Sequence, residues 1–242
     1  MFLQGKCTLL VLMILASLAP ANLPADSYDF DSLVNSMEKA YSNVRDYTCV
    51  MNKKEKIGEK LIEMNNINYK HKKPNFYYLK FNEGFYSGME VLYAGKKYDG
   101  KLLVHLGGIL NVKNVSLDPK SAAAMKNNRH SVLESDIGFI IRLIRSNYDK
   151  AKKAGEGAFT FDGEKKLFGR PALVFKAVFP ARKGYHGKLI ELYVDKDLML
   201  PLQLSVWGWN DELLEKYQFT KLKINPGLKD IDFDEKNPAY SY

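Results

Sequence analysis

The chain has 242 residues, 46% of them hydrophobic and 26% charged, enough to bury a sizeable core in one large β-rich domain or two small ones. A formal net charge of +8, about +7 once a leader carrying only Lys6 is removed, is met by an evenly solvated lysine-rich surface. It does not by itself call for nucleic acid or an anionic membrane.

Lys6 is followed by an apolar run from Cys7 to Leu18, then by small residues at Ala19-Pro20-Ala21 and Ala25. A charged start, a short apolar middle and a small-residue exit describe a secretory signal peptide over residues 1–25, with cleavage after Ala21 or Ala25. The run is shorter than the ~20 apolar residues a membrane-crossing helix needs. Cys7 begins that run rather than following it, so no lipid anchor is expected. The mature chain, residues 26–242, is read as one domain, periplasmic or secreted. Without Cys7, Cys49 is alone and forms no internal disulfide. It shares strand parity with Tyr47 and Met51, which predicts burial.

In chain order, Leu33, Met37, Ala40, Tyr41 and Val44 mark one helical face over 29–44, with Asp29 or Asp31 as cap. Asp46–Ile57 and Lys60–Lys72 then alternate about a Gly58-Glu59 turn as a hairpin. Phe76–Phe81, Met89–Tyr93 and Lys101–Leu106 follow as strands. From Val112 to Glu134 the alternation is lost, apart from a short helix at 121–125. Ile137, Ile140, Ile141, Ile144 and Tyr148 form a second helical face, capped by Asp136 and closed by Gly155. The remainder reads as strands at 158–161, 173–179, 188–194, 200–206 and 213–224.

Roughly ten strands joined by tight turns make a meander, and a meander this long curls. The predicted class is therefore α+β, mainly β. It is a single strongly curved antiparallel sheet, or unclosed barrel, with an N-terminal helix and a helical insertion over its concave face.

Catalytic signatures are absent: there is no Gly-x-Ser-x-Gly, His-Glu-x-x-His, phosphate loop or Cys-x-x-Cys. His71, His105, His130 and His186 are dispersed without metal-ligand spacing, so neither metal nor cofactor is expected. His71 reads as part of a solvated charge run and His105 as outward-facing. Only His130, beside Arg129 in the insertion, invites a role as head-group or lid contact. The lysine clusters at 53–56, 70–73 and 150–153 suit a soluble surface, or transient contact with an anionic membrane. Export and the core-like alternation of the aromatics argue against nucleic acid.

The element order ends in Trp209, Asn225-Pro226-Gly227, Asp232-Phe233 and Asn237-Pro238. With Leu92-Tyr93-Ala94-Gly95, Leu117-Asp118-Pro119 and Arg129-His130, it resembles the LolA-type periplasmic lipoprotein carriers. It is more closely similar to an uncharacterised bacterial family, a domain of unknown function that is itself like those carriers. The resemblance implies an unclosed barrel with an α-helical lid and an apolar cavity for acyl chains, with no catalytic residues. The function expected is an exported, non-catalytic binding protein, a monomer, that holds a lipid acyl chain or lipoprotein. Expected cavity residues are Tyr47, Met51, Val91, Tyr93, Leu173, Phe175, Leu204 and Val206, with Ile140 and Ile144 on the lid. The alternative is a cell-envelope structural or interaction module whose barrel is filled by its own side chains; an unrecognised hydrolase would need a Ser or His cluster.

Overall fold

Asp29 sets the start of the first helix, α1 (Phe30–Ser42): its carboxylate accepts a hydrogen bond from the Ser32 amide at 2.9 Å. That satisfies one of the free N–H groups of the first turn. The computed structural model describes residues 28–107, 114–181 and 184–242. The expected leader, residues 1–25, and its cleavage positions lie outside them.

Eleven strands form one antiparallel sheet. The first meander holds β1 (Asp46–Ile57), β2 (Lys60–Lys72), β3 (Phe76–Phe81), β4 (Glu90–Ala94), β5 (Leu102–His105) and β6 (Asn114–Leu117). The second holds β7 (Ala158–Leu167), β8 (Arg170–Val178), β9 (Leu189–Asp195), β10 (Pro201–Trp207) and β11 (Leu213–Ile224). Turn chemistry fixes the hairpins. Between β7 and β8, Phe168 and Gly169 both take positive φ, 51° and 83°, as a two-residue type I′ turn requires. The one strand that alternation does not predict is β6, which has only Val115 and Leu117 to show.

The strand order is β6-β5-β4-β3-β2-β1-β11-β10-β9-β8-β7. The two meanders therefore join through β1 and β11, in a register from Tyr47↔Ile224 to Glu55↔Glu215. The ends, β6 and β7, do not pair, so the barrel is open. This order dictates the path of the insertion. The chain leaves the sheet at one edge and re-enters at the other, so residues 118–157 must cross a face. They do so as α2 (Ala122–Met125), a short 3-10 turn at Val132–Glu134, and α3 (Ile137–Ala154). Asp136 caps α3 through the Phe139 amide at 2.9 Å, and Gly155, at φ 66°, closes it.

Alternation then sorts the side chains. One set of strand faces, including Tyr47, Met51, Ile67, Tyr77, Phe175, Leu204 and Phe219, packs on α1 and α3 as the main core. The opposite parity carries Tyr78, Leu92 and Ala94, which form a smaller core with Phe233 of the C-terminal segment. Tyr240 stacks on Tyr78 at 3.9 Å, and the buried Glu90 accepts from the Ser241 amide and hydroxyl at 3.2 and 3.1 Å.

Asn225 shows how the closing motif works. It sits at φ 53°, its carbonyl accepts from the Arg45 amide at 2.7 Å, and its amide donates to Asn43 O at 3.1 Å. It thus ties the exit of β11 to the entry of β1, where the two meanders join. Asn225→Ala should cost about 1–2 kcal/mol in urea unfolding, since it removes both bonds and places a Cβ without a compensating side chain in the left-handed region.

Candidate functional site

The helices cover one part of the inner face more than the rest: α1 and α3 pack on each other, α1 reaches β7 and α3 reaches β10. Where they lie, the space is filled. Tyr47, Leu173, Phe175, Leu204, Val206, Ile140 and Ile144, all expected in a cavity, are packed into the main core with at most 2% exposure. Phe175 is enclosed by the rings of Tyr28, Phe30 and Phe161. Tyr93 lies at the margin of the same core and is half-buried. Parity places these residues on the inner face; it does not reveal that helices occupy the space above it.

On the other side, the inner face of β1–β6 faces α2 and the loop that follows it, and these leave a pocket of about 290 Å³. That is near the lower end of the ~300–1,000 Å³ usual for ligand sites. The apolar wall includes Leu79, Phe81, Leu102, Val104 and Leu117, with Ala123, Ala124 and Val132 from the insertion. Of the expected residues, Met51, Val91 and His130 line it. A second depression of about 510 Å³ shares Met64, Phe81, Phe85, Tyr86 and Asn127 with the first. Phe85, 95% exposed, stands between the two.

One end of the pocket is polar, because the two central strands carry charge on their inward parity. Lys53 and Glu55 continue the series Tyr47, Cys49, Met51 on β1; Glu215 precedes Tyr217 and Phe219 on β11. Glu55 and Glu215 are register partners, buried to 1% and 0% exposure. Two like charges opposite each other repel, and burial without partners would be costly. The insertion supplies some of the partners. Glu55 is held by Lys53 Nζ at 3.1 Å, the Arg129 amide at 3.1 Å and the Tyr217 hydroxyl. Glu215 is held by His130 Nε2 at 2.8 Å and His186 Nε2 at 2.6 Å, while Arg129 Nε lies 3.2 Å away without hydrogen-bond alignment. Burial pushes the Glu215 carboxyl pKa up, but the two histidine contacts outweigh it and hold it at about 2. Arg129 and His130, expected as head-group contacts, are thus engaged with buried carboxylates, with His130 also on the pocket wall.

Other expectations need correction. Lys53 is not part of a solvated run; it is 8% exposed and donates to Asn128 Oδ1 at 2.5 Å. His71 is buried, between Tyr47 and Tyr77 rather than in solvent. His105 does face outward, but Tyr242 covers it. The histidines are not all dispersed, since the fold joins His130 and His186 at Glu215. Much of the lysine surface is paired, with Lys54 on Glu63, Lys70 on Asp232, Lys72 on Asp230 and Lys152 on Asp31. Cys49 is buried as expected, and burial pushes its thiol far above the range in which a thiolate nucleophile forms. Among the described residues no helix is long and apolar enough to cross a membrane.

Residues 44–242 match the model of the family described as "Protein of unknown function (DUF1571)". The chain belongs to the DUF1571 family. A 60-residue stretch is 42% identical to the sigma factor AlgU regulatory protein MucB of Pseudomonas aeruginosa, spanning 25% of this chain and only 18% of that protein. Among solved structures, the DUF1571 chain is similar over 84% of its length to 62% of MucB, with a TM-score of 0.47 and 17% identity. It is similar over 85% of its length to all of the Mycobacterium tuberculosis lipoprotein LppX, with a TM-score of 0.46 and 10% identity. The same share is similar to 97% of a LolA superfamily protein from Nitrosomonas europaea, with a TM-score of 0.34 and 8% identity.

Proposed function

We propose that this protein is an exported, non-catalytic binding protein that holds the acyl chain of a lipid or lipoprotein in the pocket between β1–β6 and the insertion. The observation that carries the reading is the pairing of an apolar wall with one polar end, at Lys53, Glu55 and His130, in a pocket of about 290 Å³. An apolar chain gains from leaving water along the wall, roughly 25 cal/mol per Å² buried, while a polar end group finds donors and acceptors already held in place. The exposed ring of Phe85 offers an apolar contact where such a chain would enter.

The 60-residue likeness to a sigma factor regulatory protein supports a second reading, in which the same pocket receives an apolar segment of a protein partner.

The test uses the full chain expressed with its leader and purified from the cell envelope, by native mass spectrometry and lipid extraction. A co-purifying acyl species, or saturable uptake of a fluorescent fatty acid, is expected. Ala123 lines the pocket from α2 and is exposed, so Ala123→Trp should fill the space without disturbing the core. It should weaken uptake at least tenfold, with the unfolding midpoint unchanged. Equal uptake by the variant, or no uptake of acyl species by either protein, would reject the acyl-chain reading.

A further inference from the structure

We infer that His130, His186 and Glu215 form a binding site for one divalent transition-metal ion of the zinc class, placed where the insertion, the β8–β9 connection and β11 meet. The cluster combines donors from three separate parts of the chain, and their ligating atoms lie within 4.8 Å of one another. Two imidazoles and a carboxylate are a borderline-soft set that suits Zn²⁺, Co²⁺ or Ni²⁺ better than Mg²⁺ or Ca²⁺. A tetrahedral zinc ion bonded at ~2.0–2.1 Å sets its donors about 3.3 Å apart. The two histidine–carboxylate distances, 2.6 and 2.8 Å, need to open by only about half an ångström, and the two imidazole nitrogens to draw together.

The surroundings hold the donors in a ligating pose. Both histidines direct Nε2 at the carboxylate. The other nitrogen of His130 faces Glu134 Oε2 at 3.7 Å, the kind of outer carboxylate that orients metal-bound histidines. The His130 ring lies between His186, 5.5 Å away and near-parallel, and Phe139 at 4.9 Å. The backbone of His186 is fixed by the Asn147 side chain, which accepts from its amide at 2.9 Å. Glu215 is fully buried, so little reorganisation is needed on its side.

The local charge also favours a cation. Glu55, Glu134 and Glu215 face Lys53 and Arg129, leaving one net negative charge when both imidazoles are neutral. A divalent cation at the cluster meets that negative charge. Bound there, it would tie the insertion to the central sheet beside the pocket.

The experiment takes the full mature chain, stripped of metal with a chelator, and titrates it with Co²⁺ and Zn²⁺. One equivalent of Co²⁺ should give visible bands of tetrahedral intensity, Zn²⁺ should displace it, and the thermal midpoint should rise on binding. His130→Gln and His186→Gln should each weaken binding at least tenfold. The cobalt spectrum of the unaltered protein needs no variant, so a misfolded variant cannot obscure the outcome. Absence of saturable binding, or Zn²⁺ affinity equal in wild type and both variants, would overturn the site. Ala123→Trp changes the shared pocket wall but removes none of the three donors, so it should still bind one equivalent of Co²⁺ while losing acyl uptake, and failure of the acyl-chain reading and failure of the metal site are separable.

Discussion

Asp136→Ala should destabilise the protein by about 4 kcal/mol, because one carboxylate serves three elements at once. It caps α3 through the Phe139 amide, accepts from Tyr41 of α1 at 3.2 Å and accepts from Tyr77 of β3 at 3.1 Å. Losing a cap of this kind costs ~1 kcal/mol. Each hydroxyl that loses this acceptor adds ~1–3 kcal/mol, with both the half-buried Tyr41 and Tyr77, which keeps only the longer contact to Leu133 O at 3.4 Å, falling toward the lower end. Tyr47 and Tyr69 hold the same helix start from the sheet, through the Ile137 amide at 3.0 Å and Ser135 Oγ at 3.1 Å, so the helix should remain docked while its anchor weakens. At 242 residues, ~4 kcal/mol corresponds to a midpoint lowered by roughly 10 °C. Asp136→Asn keeps the cap and one acceptor and should lose about half as much. Calorimetry of the two variants decides the matter. A loss below 1 kcal/mol for the alanine variant would mean that the tyrosines find other partners.

The same residue shows what the sequence can and cannot reveal. A capping Asp before an Ile-rich helical face is a local pattern, and α3 begins where that pattern predicts. Period-2 alternation is equally local, and β1, β2, β3 and β11 have the bounds it predicts. By contrast, the convergence of Tyr41 and Tyr77 on Asp136 spans 95 and 59 residues, and no spacing rule encodes it.

The polar end of the pocket does not follow from apolar alternation, for a different reason. On β1 the apolar alternation of Tyr47, Cys49 and Met51 gives way to Lys53 and Glu55, and on β11 Glu215 interrupts the parity of Leu213, Tyr217 and Phe219. Carrying the odd parity through those positions places three charges inside adjacent strands, and that is a signal in its own right. Charged residues on an inward face need partners, and the dispersed Arg129, His130 and His186 supply several of them. Which half of the inner face stays open depends on where the crossing helices settle, a property of packing rather than of strand pattern. Phe175 and Val91 have the same signature in sequence, yet one is core and the other is pocket wall.

His71 should make the stability of the protein depend on pH between 7 and 4. It lies on β2 with 1% exposure, against Tyr47 and Tyr77, and its Nδ1 is 3.1 Å from Phe76 O. A carbonyl can only accept, so the neutral ring donates from Nδ1. Burial disfavours the imidazolium and lowers the pKa from 6.5 to about 4. Attraction to Asp136 and the bond to Phe76 work against that shift, and Lys73 and Arg142 add to it. Since the folded value lies below the unfolded one, the unfolded chain takes up the proton first as pH falls. Stability from the neutral ring is complete above pH 6.5, drains away down to about pH 4, and is gone below it. The difference amounts to ~3 kcal/mol. His71→Gln retains a donor for Phe76 O and has no proton to take up. Urea unfolding at pH 7 and pH 4 should therefore show wild type losing ~3 kcal/mol more than the variant across that interval, whatever the variant costs at neutral pH. The carboxylates titrate in both proteins and cancel in the comparison. A His71 imidazole resonance of the folded protein, assigned by its loss in His71→Gln, that titrates near 6.5 would show that the native state accepts the proton freely, and the pH dependence attributed to His71 would vanish.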